Sequence, residues 1–118
     1  MPNPNVEPGA KAILDSLLLN MPSVTEGKMF GYAAYYVHGK LFACIYGEGV
    51  GVKVPEEVAN KLLSENHVVP FQPLGKSKMR EWIQINRARS ADYRKDIDIF
   101  RISVEFVSQI QTTKRKKK

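Results

Sequence analysis

Cys44, His38 and His67 are the only thiol and imidazole groups in the chain, so nucleophilic, proton-relay or metal chemistry would have to be assembled around them. Cys44 sits between Ala43 and Ile45 in an apolar run, where desolvation disfavours the thiolate that a nucleophile needs. It reads as a small buried hydrophobe. Strict alternation along a strand puts Phe42, Cys44 and Tyr46 on one face and Leu41, Ala43 and Ile45 on the other, both apolar. His38 falls in a hairpin turn and His67 at a helix exit, and neither has a carboxylate neighbour to orient it as a general base. A single cysteine excludes an internal disulfide, and without a Cys-x-x-Cys pair there is little material for structural zinc.

The carboxylates and glycines are equally unpromising as machinery. Glu56 and Glu57 suit the positive end of a helix dipole, while Asp96 and Asp98 point to opposite sides of a helix or share one side of a strand. Gly75-Lys76-Ser77 ends like a phosphate-binding loop, but the motif requires glycine where the chain has Pro70, and a strand follows instead of a helix. Gly47-Glu48-Gly49-Val50-Gly51 has the wrong spacing for a dinucleotide fingerprint and again opens a strand. The expectation is therefore no catalytic residue, no cofactor, no metal ligand and no enzyme activity.

Cations are the remaining chemistry. Lysine and arginine number 18 against 12 acids, for a net charge of +6, yet Lys114, Arg115, Lys116, Lys117 and Lys118 supply five of those cations. Without them the body is close to neutral. Such a run repels itself and is expected to be a disordered basic tail, residues 112–118, able to meet phosphates. Lys76, Lys78 and Arg80 before one strand, with Arg87, Arg89 and Arg94 after it, would join the tail in a nucleic-acid stripe if the fold brought them together. No aromatic interleaving of the RNA-recognition type accompanies them.

The elements that must position these groups follow from periodicity. Ala10, Ile13, Leu14, Leu17 and Leu18 mark an amphipathic first helix, with Asn20 as its cap and Pro22 as its stop. Residues 28–37 and 40–46 read as two strands joined by the turn His38-Gly39, and residues 50–54 as a third. Pro55 opens a short helix with Val58, Leu62 and Leu63 on its apolar face, ending near Asn66. Val68-Val69-Pro70-Phe71 leads into a loop, and residues 79–86 form a fourth strand. Tyr93, Ile97, Phe100, Val104, Val107 and Ile110 then define a long terminal helix capped by Ser90, although residues 100–106 also alternate as a strand would. Ile99, Ile102 and Phe106 lie beside that stripe and require a partner, either the same core or a second subunit.

Segregated strands with helices before and after predict an α+β domain: a two-layer sandwich with an antiparallel meander sheet, spanning residues 8–111 behind an extended leader, residues 1–7. With 118 residues there is one core. No stretch approaches the roughly 18 apolar residues of a membrane span, and no secretory signal is present, so a cytoplasmic protein is expected.

Lys28-Met29-Phe30-Gly31, Val37-His38-Gly39-Lys40-Leu41-Phe42-Ala43, Val52-Lys53, Pro70-Phe71, Gly75-Lys76 and Met79 to Trp82 together resemble the TfoX/Sxy N-terminal domain family over approximately residues 13–110. Two positions depart from its pattern, Tyr32 in place of glycine and Asn86 in place of proline. The resemblance implies a stand-alone N-terminal domain with an architecture similar to that of secretion chaperones, and no established catalytic residue. Its full-length members regulate natural competence genes and carry a second, helical domain. The expected function is a non-enzymatic regulatory or adaptor module working through protein contacts, with a homodimer through Ile99, Ile102 and Phe106. A nucleic-acid-associated transcriptional regulator using the basic tail is the alternative.

Overall fold

The first helix, α1 (Ala10–Leu18), buries Ile13, Leu14 and Leu18, three of the residues whose spacing predicted it. Its last carbonyls are satisfied locally: the Leu19 amide donates to Asp15 O at 3.1 Å and the Asn20 side-chain amide to Ser16 O at 2.8 Å. The computed structural model describes residues 9–29, 31–46, 49–72 and 80–116, and side chains as far as residue 109. The leader at 1–7 lies outside the described residues.

Among the described residues six strands follow: β1 (Val24–Met29), β2 (Tyr32–Val37), β3 (Lys40–Tyr46), β4 (Gly49–Lys53), β5 (Val68–Pro70) and β6 (Trp82–Ile85), with α2 (Glu56–Leu62) between β4 and β5. They form one antiparallel sheet in the order β1-β2-β3-β4-β6-β5. The β2–β3 hairpin turns at His38 and Gly39, both with positive φ (51° and 78°), the left-handed pair that matches strand twist. Where the sequence predicts one strand over 28–37 there are two. Gly31, at φ 83°, reverses the chain between Met29 and Tyr32, a turn hidden by the aromatic residues around it. Val68–Pro70, expected as the approach to a loop, is instead a short edge strand on β6. Three residues are too few to display a period, and proline is tolerated at an edge.

A bulge reassigns the faces of β3. Tyr35 pairs with Ala43 but Tyr36 pairs with Leu41, so Phe42 is an inserted residue. Phe42, Ala43 and Ile45 consequently pack in the main core with α1, α2 and the C-terminal helix, while Leu41, Cys44 and Tyr46 join a second cluster on the opposite face. The alternation expected from sequence therefore breaks at the step from Phe42 to Ala43. Among the described residues no helical residue contributes to the second cluster, which holds Ala34, Cys44, Phe71 and Trp82.

The C-terminal segment is helical, as the longer stripe predicts: a 3-10 turn (Ser90–Asp96) leads into α3 (Ile97–Lys116). Tyr93, Phe100 and Val107 are buried against the sheet, with Ile97 and Val104 half-buried. Ser90 is not a cap, because the extended residue before the first turn is Arg89 and no side chain caps that turn. The α3 backbone runs on to Lys116, past the position where the folded domain was expected to end.

Candidate functional site

Each predicted reactive group has a definite place. Cys44 is fully buried beneath the second cluster, and burial pushes its thiol up to about 11 despite a backbone hydrogen bond from Gly51. His38 is exposed on its turn and His67 half-buried after α2. No group of three or more His, Cys, Asp or Glu side chains gathers among the described residues.

Two carboxylates are engaged in structure. Asp15 of α1 accepts a 2.7 Å hydrogen bond from the buried Tyr35 hydroxyl and a 2.8 Å bond from Lys11, which also reaches Glu26 of β1 at 3.0 Å. Burial raises Asp15, but the Lys11 ammonium and the Tyr35 hydroxyl more than offset this and hold it below the usual carboxylate range. Burial and the adjacent carboxylate drive the Tyr35 phenol upward. The pair fastens α1 to the sheet. A carboxylate with a lowered folded pKa stabilises the fold above its unfolded value of about 3.9, and that contribution fades as pH falls through the lower folded value. Tyr35→Phe is thus expected to cost about 1.5 kcal/mol at pH 7 and less near pH 3, as read from urea midpoints at the two pH values. An equal loss at both would mean that packing, not the carboxylate, is affected.

Asp96 is 2% exposed and receives both Arg87 Nε at 3.1 Å and an Arg87 terminal nitrogen at 2.7 Å. Asp98, by contrast, projects into solvent beside Arg101 at 3.7 Å. Of the predicted phosphate stripe, Arg80, Arg87, Arg89 and Arg94 fall among the described residues. Arg87 is committed to Asp96, while Arg80 and Arg94 are exposed and Arg89 also has interactions of its own. Lys76 and Lys78 lie outside the described residues, as do Lys117, Lys118 and the side chains of Lys114, Arg115 and Lys116. Of the predicted dimer surface, Ile99 and Phe106 pack against the main core, leaving Ile102 38% exposed.

What sequence reading missed is an aromatic row across the face opposite the described helices. Tyr32 meets Tyr46 edge-on at 5.1 Å between ring centroids, Tyr46 meets Phe71 at 5.6 Å, and Phe71 stacks on Trp82 at 5.2 Å. Phe71 can lie there because Gly51 of β4 is beneath it. A Cβ at Gly51 would come within 2.8 Å of the ring. At one end Tyr32 is 40% exposed; at the other, Lys53 Nζ stands 6.0 Å from the Trp82 ring and 3.5 Å from Glu81. Lys53, Glu56, Arg80, Glu81 and Trp82 line an open cleft of about 430 Å³ there. The available signal was Gly51 itself, a residue with no side chain in the middle of an apolar strand.

An antiparallel sheet with the described helices on one face and an aromatic row on the other defines a small α+β domain. The TfoX N-terminal domain model matches residues 16–107, most of the chain, and the protein belongs to that family. The motif residues Gly31, Gly39 and Phe42 supply the two turns and the bulge that shape the sheet. No curated protein and no solved structure matches the chain. Among the described residues no helix is long and apolar enough to cross a membrane.

Proposed function

We propose that the protein is a regulatory or adaptor module of the competence type that acts through protein contacts and catalyses no reaction. Family membership supports the regulatory class. The carrying observation is Tyr32, 40% exposed at the end of an aromatic row whose Phe71 and Trp82 are buried, while the thiol is buried and Asp15 and Asp96 are occupied by structural partners. Aromatic side chains offer large contact area at low entropic cost, the usual anchor of a protein interface. A photo-crosslinking residue placed at Tyr32 in cells is expected to give discrete protein adducts, whereas the same residue at Asn60, exposed on α2, gives none. Identical patterns at the two positions, or no adducts at either, would defeat the proposal.

A second reading, association with nucleic acid, is favoured by one observation: five cations are concentrated at residues 114–118, at the end of the chain where α3 runs out to Lys116. If all five meet phosphates, log affinity for duplex DNA should fall against log salt with a slope of roughly −4 to −5. Deleting residues 114–118 should then flatten the slope and abolish most binding. Unchanged binding by the shortened chain rejects this role.

A further inference from the structure

The outer edge of β1 carries hydrogen-bonding groups whose pattern singles out one partner. The His38 amide donates to Ser23 O at 3.3 Å one step beyond the Val24–Val37 pair that begins the β1–β2 ladder, and this bond fixes the alternation along β1. By alternation Thr25, Gly27 and Met29 turn their backbone groups toward β2, and Val24, Glu26 and Lys28 turn theirs outward. The Val24 amide is already spent on Met21 O at 3.3 Å. That leaves Glu26 and Lys28 as the residues able to extend the sheet, and no described strand lies beyond them.

We infer that β1 pairs with β1 of a second copy, antiparallel, about a two-fold axis at Gly27. This deepens the reading of the protein as a module of protein contacts by naming one such partner. Only one register suits the groups on the edge. Centring on Gly27 sets Glu26 opposite Lys28 of the second copy, twice, so each carboxylate faces an ammonium and the Glu26 and Lys28 backbone groups bond each other. Centring on Glu26 or on Lys28 would oppose two like charges, and centring on Thr25 would need the Val24 amide that Met21 already holds. Both charged side chains are exposed on the helix side of the sheet, where Glu26 also meets Lys11 in a solvent-exposed pair.

On the other face Gly27 fits the axis. The Tyr36 ring lies across it, so close that a Cβ would sit 2.9 Å from the ring, and the Tyr36 hydroxyl donates to Lys28 O at 2.8 Å. That carbonyl retains a second lone pair for the incoming Glu26 amide. With no side chain at Gly27, two such rings lie side by side over the axis.

Sedimentation velocity on the full chain from roughly 10 µM to 1 mM, the range of a small transient interface, should show monomer and dimer in exchange. Lys28→Glu is expected to weaken dimerisation about tenfold, because two attractive cross-strand pairs become repulsive. Adding Glu26→Lys should restore it to within about threefold, a reversal that a merely destabilised fold would not give. Lys28→Pro removes only an outward amide, leaves the β1–β2 ladder intact, and should weaken the dimer by about thirtyfold. A chain that stays monomeric throughout, or a dimer indifferent to all three variants, overturns the inference. Crosslinking from Tyr32 to other proteins is read separately, so loss of the dimer with adducts retained would leave the broader reading standing.

Discussion

Replacing Phe42 with alanine is expected to cost about 4 kcal/mol of stability, a large share of the roughly 6 to 15 kcal/mol typical of a domain of this size. Phe42 is fully buried among helix-side residues only because the bulge inserts it there, and the Ser103 hydroxyl of α3 donates to its carbonyl at 3.3 Å. Truncation empties the volume beneath α3 and loosens the contact that seats the helix on β3. Urea unfolding should show a lower midpoint at an unchanged slope. A second readout tests the face. Trp82, the single tryptophan, stacks on Phe71 on the opposite side of the sheet, so its native-state fluorescence should not move. Altered native fluorescence with less than about 1 kcal/mol lost would place Phe42 on the aromatic side, as simple alternation predicts, and would sink the bulge assignment.

Arg87→Met is expected to cost about 3 kcal/mol, because it strands the Asp96 carboxylate, 2% exposed, without its two guanidinium bonds. The surrounding contacts make this a junction: the Arg87 amide donates to the Tyr93 hydroxyl at 3.4 Å, and that hydroxyl donates to Ile85 O at 3.1 Å. Exit from β6 and entry into α3 are thereby tied. Most of the cost comes from the isolated charge, so the double variant Arg87→Met with Asp96→Leu should regain the larger part of it. Chemical denaturation of the two single variants and the double one completes the cycle. Strict additivity would show that the two side chains do not interact as a pair.

Both variants concern features that one-dimensional patterns do not encode. A slip of one residue in β3 leaves apolar side chains on both faces, so no polar residue in the sequence marks where the register changed. The partnership of Arg87 with Asp96 depends on how the 3-10 turn folds back on β6, and the charge count treated Arg87 as a free cation for that reason. The aromatic row has the same origin: Tyr32, Tyr46, Phe71 and Trp82 are far apart in sequence, and they meet because β2, β3, β4 and β6 are neighbours and Gly51 leaves space.

Local chemistry did determine a good deal. Helical spacing specified α1 and α3, the turn pair specified the His38-Gly39 hairpin, and the apolar run around Cys44 specified a buried thiol, because each depends on residues within a turn or two of one another. The α+β class followed from the order of those elements. Tertiary structure decided which face each β3 residue serves, which cations are spent on buried acids, and that Ile99 and Phe106 close onto their own core. These outcomes turn on packing between distant segments, where the free energy of filling a shared volume selects among local patterns that are equally acceptable along the chain.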